Sequence, residues 1–333
     1  MTDGRWIGLQ YRNLGRSGLK VSELALGSWM TNLGGADAQQ NAQAMVRLAY
    51  DNGVNFFDCA DAYSGGEAER FLGRTLRDYP RSSYVVSSKL FFPMGPGAND
   101  WGLSRKHIVE SIDRTLRNLG LDYVDVYYCH RFDPTTPMEE TLRALSDLVS
   151  QGKILYYGVS EEWSAARLTE AEKIIAAYGL HPLTTLQPQY NMMDRYIEHE
   201  IMDVCTRYGI GITPFSPLAQ GLLTGKYHKG EPYPAGSRAT FQADKQVNRL
   251  LTDENLDKVE RLSKIADELG CTMSALALGW LLTRPNVSSV IVGASRPAQL
   301  ESNLKAVGLH IPEDALQRIE SILDFHKIER HVG

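Results

Sequence analysis

Short runs of strand-forming residues alternate with helix-like segments almost to the end of this 333-residue chain. Many of these runs are continuously apolar, as expected for strands that are buried on both faces of a parallel sheet. Eight such strand–helix units, joined by right-handed crossovers, predict an α/β fold whose strands close into a (β/α)8 barrel. The predicted strands are Leu24–Leu26, Asn55–Asp58, Tyr84–Lys89, Tyr123–His130, Leu155–Ser160, Thr185–Tyr190, Gly211–Phe215 and Ser289–Val292.

An open, doubly wound sheet is the alternative that the same alternation allows. That fold usually carries a G-x-G-x-x-G turn after its first strand. Here the first predicted strand leads into Gly27-Ser-Trp-Met30, and the chain contains no G-x-G-x-x-G sequence. The element count together with this absence favours the barrel.

Several predicted helices begin and end with residues that are typical of helix termini. The spacing of Thr136 and Glu139 also predicts a capping box, in which the two side chains bond each other's backbone N–H groups. The predicted helices are Arg105–Leu119 between Ser104 and Gly120, Met138–Ser150 after Thr136-Pro137, and Ala165–Tyr178 between Ser164 and Gly179.

Three segments interrupt the strand–helix rhythm. Residues 11–21 resemble a β-hairpin that precedes the first barrel strand, and residues 91–102 form an insert directly after Lys89. Residues 220–250 are rich in Gly, Pro and Tyr and show no clear helix, so they predict a long loop at the C-terminal face of the barrel that is either a functional lid or disordered. No linker divides the chain, which predicts one domain over residues 1–333.

Charge and cysteine content limit the class of partner. The net charge of −5 argues against nucleic acid or an anionic membrane as the main partner. The four cysteines are widely spaced without a C-x-x-C motif, which indicates reduced thiols in a cytoplasmic protein. The polar N-terminus predicts no secretory signal, and no apolar run is long enough for membrane insertion. The scattered histidines and carboxylates imply no metal site.

Asp58, Tyr63, Lys89 and His130 stand at or just after the ends of three predicted strands. The C-terminal ends of barrel strands converge on one mouth, so these residues are expected to meet there. When a hydride reaches a carbonyl carbon, the carbonyl oxygen needs a proton donor. A tyrosine can donate if a lysine lowers its pKa, an aspartate can hold that lysine, and a histidine can orient the carbonyl.

Each of the four residues also has an ordinary structural interpretation. Tyr63 alone would be a loop residue and Lys89 a solvated strand end, while Asp58 alone would cap a loop and His130 would be a buried core histidine. Their joint placement on consecutive strand ends is much harder to explain by chance. We therefore interpret them as a catalytic tetrad.

Several long motifs resemble those of the aldo-keto reductases, over nearly the full length of the chain. The branch that contains potassium-channel β subunits and their bacterial and plant relatives is the most similar. This resemblance implies the barrel fold, with Tyr63 as acid, Lys89 and Asp58 tuning it, and His130 orienting the substrate. The motifs are Tyr11-Arg-Asn-Leu-Gly-Arg-Ser-Gly-Leu-Lys-Val21, Gly102-Leu-Ser-Arg-Lys-His-Ile-Val-Glu110, Thr136-Pro-Met-Glu-Glu-Thr141, Ser216-Pro-Leu-Ala-Gln-Gly-Leu-Leu-Thr-Gly-Lys-Tyr227 and Val290-Ile-Val-Gly-Ala-Ser295.

The resemblance also implies that NADP(H) lies extended across the barrel mouth. Ser28, Trp29 and Asp58 would lie near the nicotinamide, Ser160 and Gln187 would bond its carboxamide, and Phe215 would stack on its ring. The remaining implied contacts run from the pyrophosphate to the adenosine phosphate: Ser216, Pro217, Leu218, Ala219, Gln220, Lys226, Arg238, Gly293, Ser295, Arg296, Gln299 and Asn303.

The segment Gly293–Gln299 can also be interpreted as a simple strand–turn–helix connection. In that interpretation Ser295 caps the last of these helices and Pro297 occupies its first turn. The same geometry can bind a phosphate at the helix N-terminus. Relatives often carry Arg where Gln299 stands, which leaves Arg296 as the main candidate for the 2′-phosphate. The sequence gives no account of Glu161, where many relatives carry Asn or Arg.

Three functions fit these residues to different degrees. The favoured one is NADPH-dependent reduction of a small aldehyde or activated ketone, with Trp29, Phe91, Phe92 and Trp101 forming an apolar substrate pocket or packing within their loops. The second is a nucleotide-binding regulatory subunit with slow turnover; the animal channel subunits carry Asn where His130 stands, so the histidine favours turnover. An aldolase using Lys89 leaves Tyr63 unexplained. Analogy with channel-type relatives suggests a homotetramer.

Overall fold

A computed structural model describes residues 9–29, 35–240 and 245–328 of the chain. Its strands are β1 Tyr11–Asn13, β2 Lys20–Ser22, β3 Leu24–Gly27, β4 Phe56–Asp58, β5 Val85–Leu90, β6 Val124–Cys129, β7 Ile154–Val159, β8 Leu183–Leu186, β9 Gly211–Ile212 and β10 Val290–Val292. β1 and β2 form an antiparallel hairpin. The other eight strands are parallel and form the centre, and their order in the sheet, β10-β3-β4-β5-β6-β7-β8-β9, follows the sequence around a circle.

Backbone hydrogen bonds join the two ends of this sheet. The N–H of Ile212 donates to the carbonyl of Asn286 at 2.9 Å, and the N–H of Ser288 donates back to the carbonyl of Ile212 at 2.8 Å. One residue pair further along, Ile291 donates to Pro214 at 2.9 Å. The sheet is therefore a closed (β/α)8 barrel, and the fold predicted from the sequence is confirmed.

Helices surround the barrel, and three of them have the predicted bounds. The side chain of Ser104 accepts a hydrogen bond from the N–H of His107 at the start of helix Arg105–Leu119. Ser164 caps helix Ala165–Tyr178 in the same way. The helices are α1 Ala36–Asp51, α2 Glu67–Leu76, α3 Arg105–Leu119, α4 Met138–Ser150, α5 Ala165–Tyr178, α6 Ile201–Tyr208, α7 Lys245–Leu250, α8 Asp253–Glu268, α9 Met273–Leu282, α10 Pro297–Leu304 and α11 Glu313–Leu323.

Two predicted strands are shorter than expected. β8 ends at Leu186 and β9 at Ile212, whereas the sequence suggested Thr185–Tyr190 and Gly211–Phe215. Pro188 and Pro214 stand in the missing parts, and a proline has no N–H to donate to the strand ladder. Beyond them, pairing continues only as an isolated bridge between Gln189 and Phe215.

The predicted capping box at the start of α4 is wrong. Pro137 occupies the N-cap position, and no side chain caps the helix there. The hydroxyl of Thr136 instead donates to the carboxylate of Asp133 at 2.8 Å, and Glu139 pairs with Arg143 one turn along. Because Pro137 is the N-cap, Thr136 lies one residue before the position from which a capping box is formed.

The long segment 220–250 contains more structure than its composition suggested. The 3-10 segment Ala219–Thr224 opens it and α7 closes it, so the prediction of no helix is wrong there. Residues 241–244 of this segment lie outside the described residues. The short apolar groups of the opening turn, Leu222 and Leu223, are fully buried and anchor the segment on the core.

The hairpin closes the N-terminal end of the barrel. Leu14, between β1 and β2, is fully buried in the cluster that fills the barrel interior. Gly15 lies so close to the start of β9 that a Cβ there would come within 2.5 Å of the carbonyl oxygen of Gly209. The other members of the interior cluster are Val21, Ala25, Phe56, Val85, Val126, Tyr128 and Ile291.

A larger apolar core lies between the barrel and its helices. Helix α9 is buried on every side except at its last residue, which explains its continuous apolar sequence. Within the described ranges, no helix on its own has the length and apolar character needed to cross a bilayer. Only α8 and α9 taken together reach those values, and the two helices are bent by 87° relative to each other.

Candidate active site

The alternation of side chains along two neighbouring barrel strands places their polar residues at one end of the barrel. Phe56 on β4 and Val85 on β5 belong to the interior apolar cluster, so the residues two positions later face the same interior. Those residues are Asp58 on β4 and Ser87, followed by Lys89, on β5. The interior of the barrel thus changes from apolar at the hairpin end to charged at the C-terminal end.

Lys89 is the buried centre of this polar group. Its side chain has no exposure, and its Nζ donates to Asp58 Oδ2 and to the carbonyl of Cys59, both at 2.6 Å. Burial alone would lower the pKa of Lys89, but the adjacent Asp58 carboxylate outweighs it and raises the pKa above the usual value. Lys89 is therefore a permanent buried cation.

Both oxygens of Asp58 accept hydrogen bonds. Oδ2 faces Lys89, and Oδ1 accepts from the hydroxyl of Ser87 at 2.7 Å and from the amide nitrogen of Gln187 at 3.0 Å. The hydroxyl of Ser28 also donates to the backbone carbonyl of Asp58 at 2.9 Å. The carboxylate is thus fixed in orientation by two residues of β5 and by Gln187, which follows β8. Ser87 was not singled out in the sequence, although its position two residues before Lys89 is the signal that would have found it.

Tyr63 begins a 3-10 turn, Tyr63–Gly66, that follows the loop after β4. Its hydroxyl lies 3.4 Å from Nζ of Lys89, which is long for a hydrogen bond. Burial raises the pKa of Tyr63 to about 12, even though the charge of Lys89 acts to lower it. The expected lowering by Lys89 is present in direction but is outweighed by burial. Tyr63 therefore keeps its proton throughout the neutral range.

His130 lies one residue beyond the end of β6, beside Tyr63. The two rings meet edge to face with centroids 5.8 Å apart, and Phe92 contacts the histidine ring at 4.9 Å. Burial, with the charges of Lys89 and Arg131, lowers the pKa of His130 well below its usual value. Nδ1 of this ring has no hydrogen-bond partner among the described residues. His130 is thus a neutral imidazole at the mouth.

Three of the four residues predicted for a substrate pocket form one aromatic group. Phe91 contacts Phe92 at 5.5 Å and Trp101 at 6.2 Å between ring centroids, and Phe92 contacts His130. The insert that carries them closes on itself, because the N–H of Gly102 donates to the carbonyl of Phe91 at 2.8 Å. The fourth residue, Trp29, is 55% exposed and lies under the guanidinium of Arg238 at 5.3 Å.

The residues expected near the nicotinamide are brought to the same mouth. Ser160 and Gln187 are buried and joined by a hydrogen bond from the Ser160 hydroxyl to the Gln187 carbonyl at 2.7 Å. Because the side chain of Gln187 also donates to Asp58, hydrogen bonds connect Ser160 and Gln187 to the tetrad. Phe215 is half-buried just beyond β9, where its backbone pairs with that of Gln189.

The segment after Phe215 has an unusual backbone. Ser216, Ala219 and Gln220 have φ values of 52°, 47° and 58°, in the left-handed region that non-glycine residues rarely adopt. The amide nitrogen of Gln220 donates to the hydroxyl of Ser216 at 2.9 Å, while its buried carbonyl oxygen accepts no hydrogen bond within the described residues. Pro217 and Leu218 complete this turn, which leads to Lys226 beside the ring of Tyr227.

The last cofactor segment connects β10 to α10, and its predicted cap is wrong. Arg296, not Ser295, occupies the N-cap position, and Pro297 is the first helical residue. Both the N–H and the hydroxyl of Ser295 donate to the side-chain carbonyl of Gln299, at 2.8 and 3.0 Å. Ser295 is therefore paired across the first turn instead of capping the helix. Gly293 and Arg296 are exposed beside it, and Asn303 is buried on α10.

A second charged group lies behind the tetrad and was missed in the sequence. Asp61 has no exposure, and neither of its carboxylate oxygens has a hydrogen-bond partner among the described residues. Its nearest cation is Arg114 at 3.7 Å, and Glu69, also buried, accepts from the Ser88 hydroxyl at 2.6 Å. Burial and the Glu69 carboxylate raise the pKa of Asp61 to about 7, against the opposing effect of Arg114.

This raised pKa predicts a pH-dependent stability. The folded protein holds a proton on Asp61 that the unfolded chain releases near pH 4, so the stabilising contribution falls as pH rises from about 4 through 7. Asp61→Asn keeps the neutral form at every pH. The free energy of unfolding of Asp61→Asn minus that of wild type should therefore increase by about 2 kcal/mol as the pH rises from 5 to 8, as measured by urea unfolding. Asp113→Asn, which removes a carboxylate that pairs with Lys153, is the control. If the unfolding free energies of Asp61→Asn and wild type depend on pH in the same way, folding does not raise the pKa of Asp61.

No metal site accompanies these groups in the part of the chain that the structure describes. Within that part, no three His, Cys, Asp or Glu side chains lie close enough together to hold an ion.

Comparisons with known proteins agree with this architecture. A model of the Aldo/keto reductase family matches residues 23–324, a range that includes all eight barrel strands. A protein of Arabidopsis thaliana named "Probable voltage-gated potassium channel subunit beta" is 46% identical over 322 residues, covering 95% of this chain and 97% of that protein. A protein of Oryza sativa subsp. japonica with the same name matches to the same extent. The resemblance drawn from the sequence motifs is confirmed: the chain belongs to the aldo/keto reductase family.

Proposed function

We propose that this protein reduces aldehydes or activated ketones to alcohols with NADPH, using Tyr63 as the proton donor. One observation carries the proposal: Lys89 is completely buried between Asp58 and Tyr63 at the end of the barrel where a substrate can enter. A buried lysine that served only stability would be costly, because burying an ion pair rarely gains more than it costs. Catalysis explains why the pair is kept.

Each residue of the tetrad has a distinct task in this reaction. Bound NADPH supplies the hydride that the carbonyl carbon accepts. His130, held neutral by burial and by nearby cations, donates an N–H hydrogen bond that orients the carbonyl oxygen. Tyr63 gives its proton to that oxygen as negative charge develops, and the Lys89 cation stabilises the tyrosinate that remains. Asp58 keeps Lys89 in position.

Several features of the mouth fit a dinucleotide. Left-handed residues such as those at 216, 219 and 220 cost conformational energy and are common at ligand clamps. The buried carbonyl oxygen of Gln220 has no partner within the described residues, so it is available to a ligand. Helix α10 follows the eighth barrel strand, which is where barrels often bind phosphate. We therefore assign the remaining predicted contacts to the same cofactor.

Steady-state kinetics on a panel of carbonyls tests the proposal. The panel comprises 4-nitrobenzaldehyde, methylglyoxal and an unactivated ketone such as acetone, each with NADPH. We expect turnover of the first two with kcat on the usual enzymatic scale of about 1 s⁻¹ or more. Oxidation of NADPH that is no faster than in the absence of protein, for every carbonyl, would contradict an enzymatic function.

A regulatory subunit is the second candidate, because the Arabidopsis and Oryza relatives are named as potassium channel subunits. Such a protein would hold the nucleotide tightly and turn it over slowly. His130 argues for the enzyme, since its neutral imidazole is placed to act on a carbonyl. Tight NADPH binding combined with a kcat that is slower than about 0.01 s⁻¹ on the whole panel would favour the regulatory function.

Location and partners follow from the same proposal. All four cysteines are free thiols, which is consistent with a reducing cytoplasm. The partner that the mouth fits is a small carbonyl compound, and we propose neither nucleic acid nor a membrane as a partner. A homotetramer is proposed by analogy with channel-type relatives, and sedimentation would test it.

Arg296 is expected to carry most of the preference for NADPH over NADH. It is exposed at the N-cap of α10, beside Gly293 and Ser295, while Gln299 is already bonded to Ser295. Loss of a charge-assisted contact with the 2′-phosphate should cost about 1.5–3 kcal/mol, or roughly 10- to 150-fold in NADPH affinity. NADH binding should barely change in Arg296→Ala. Fluorescence titration with both cofactors measures this.

The control for that titration is Arg318→Ala, which removes an arginine that pairs with Glu268 between α8 and α11. An equal loss of affinity for NADPH and NADH in Arg296→Ala would mean that Arg296 supports the fold of the segment. No loss for either cofactor would place the 2′-phosphate elsewhere, near Gln299 or Arg238.

A further inference from the structure

Arg131 and Glu161 form an ion pair between the ends of two neighbouring barrel strands. Arg131 directly follows His130 after β6, and Glu161 directly follows Ser160 after β7. Both side chains are partly buried, with exposures of 32% and 22%. The pair therefore connects the residue after the carbonyl-orienting histidine to the residue after a predicted cofactor contact.

The aromatic group at the mouth connects this ion pair to the reacting centre. The guanidinium of Arg131 lies 5.8 Å from the ring of Phe92, which in turn contacts His130. Arg131 is also one of the cations that lower the pKa of His130, so its charge acts on the reacting centre. The guanidinium of Arg131 therefore borders the aromatic group that contacts His130.

The charges around Arg131 are unevenly distributed. Besides Glu161, the exposed Glu162 lies 3.6 Å from the guanidinium. Lys89 also acts on His130, and its amino group donates to Asp58 and to the carbonyl of Cys59. Arg167 donates to the backbone carbonyl of Glu162 and stacks on Phe132. Two carboxylates thus face one guanidinium at the rim, and the closer one is in direct contact.

We propose that Glu161 is a specificity-determining residue: by occupying Arg131, it makes the mouth select uncharged apolar carbonyls and disfavour carboxylate-bearing ones. This inference rests on the proposed carbonyl reduction. Arg131 has the planar donor geometry that binds carboxylates, and Glu161 already uses it. A substrate carboxylate would have to displace Glu161 and would also meet its repulsion, which is how binding sites exclude unwanted ligands. The apolar faces of Phe91, Phe92 and Trp101 then favour an uncharged ring.

A matched pair of substrates isolates the charge. 4-Nitrobenzaldehyde and 4-carboxybenzaldehyde share the ring and the aldehyde and differ in charge at the far end. In Glu161→Gln, the kcat/KM for the carboxylate substrate should rise about 5-fold relative to the nitro substrate, the upper range for a partly exposed ion pair. The change should lie in KM, because Arg131, once released from Glu161, contacts the substrate's remote carboxylate and not its reacting carbonyl.

Two further variants test the role of Arg131. Glu139→Gln removes a carboxylate from the exposed pair with Arg143 on α4, so it changes net charge equally and should leave the substrate ratio unchanged. Adding Arg131→Met to Glu161→Gln should abolish the gain for the carboxylate substrate. A ratio that moves less than about 2-fold in Glu161→Gln, or a gain that survives Arg131→Met, would overturn the proposal.

Binding measurements separate this inference from the proposed function. Benzoate and benzamide are compared by ligand-observed NMR, which requires no turnover. Tighter benzoate binding in Glu161→Gln, with benzamide binding unchanged, supports the inference. It does so even if wild type reduces no aldehyde, because the absence of reduction contradicts only the proposed enzymatic function. Equal benzoate binding in wild type and Glu161→Gln overturns the inference even if wild type reduces 4-nitrobenzaldehyde well.

Discussion

A loss of kcat of at least about 10²-fold is expected when Tyr63 is replaced by Phe, with the Kd for NADPH little changed. The substitution keeps the ring that contacts His130 and removes only the hydroxyl beside Lys89. Since burial raises the pKa of Tyr63 to about 12, the hydroxyl is fully protonated at pH 7, as the proposed proton donor must be. Pre-steady-state NADPH oxidation measures the effect on the chemical step.

The matched control is Tyr50→Phe, which removes a hydroxyl that donates to Ser83 on the outside of the barrel. This variant should retain wild-type kcat. If Tyr63→Phe turns over at nearly the wild-type rate, a different group donates the proton, and the assignment of the whole tetrad has to be abandoned.

Asp58→Asn and Lys89→Met are each expected to reduce kcat strongly, and the double variant should be hardly worse than the more damaging single one. Asp58 and Lys89 form one buried ion pair, so either substitution alone already removes or displaces the Lys89 cation beside Tyr63. Effects of residues that act as a unit are not additive. The measurement is kcat for the three variants with a common aldehyde.

Stability provides an independent check on the same pair. Each single variant leaves one charge buried without its partner, which costs about 3–5 kcal/mol, whereas the double variant leaves neither. The double variant should therefore be more stable than the less stable single variant in urea unfolding. Losses of kcat that multiply, or destabilisations that add, would show that the two residues act independently.

The sequence predicted the fold where local signals agree with the tertiary structure. Helix α3 has the bounds that Ser104 and Gly120 suggested, because a serine cap and a left-handed glycine act within one turn of the chain. β8 and β9 were predicted too long, because the apolar pattern continues past Pro188 and Pro214, where the regular ladder is replaced by a single bridge between Gln189 and Phe215. The capping box of α4 was wrong because residue spacing alone does not show that Pro137, and not Thr136, is the N-cap of that helix.

The candidate site likewise contains residues that could be predicted from the sequence and residues that could not. Asp58, Lys89 and His130 could be predicted to meet because strand ends in a parallel barrel converge whatever the sequence between them. The partners that hold them could not, since they depend on side-chain direction across strands: Gln187 reaches Asp58 from 129 residues away. Glu161 had no interpretation in the sequence for this reason, as its partner, Arg131, stands at the end of the neighbouring strand.

The hairpin that closes the N-terminal end of the barrel limits how protons can move during turnover. Among the described residues, the interior cluster between Leu14 and Asp58 is apolar apart from the hydroxyl of Tyr128, which is bonded to Thr213. In the proposed reaction, we therefore expect the proton lost from Tyr63 to be replaced from the same opening that admits the substrate. Reprotonation and product departure would share one route, so the enzyme can be readied for the next substrate only after the alcohol has left that opening.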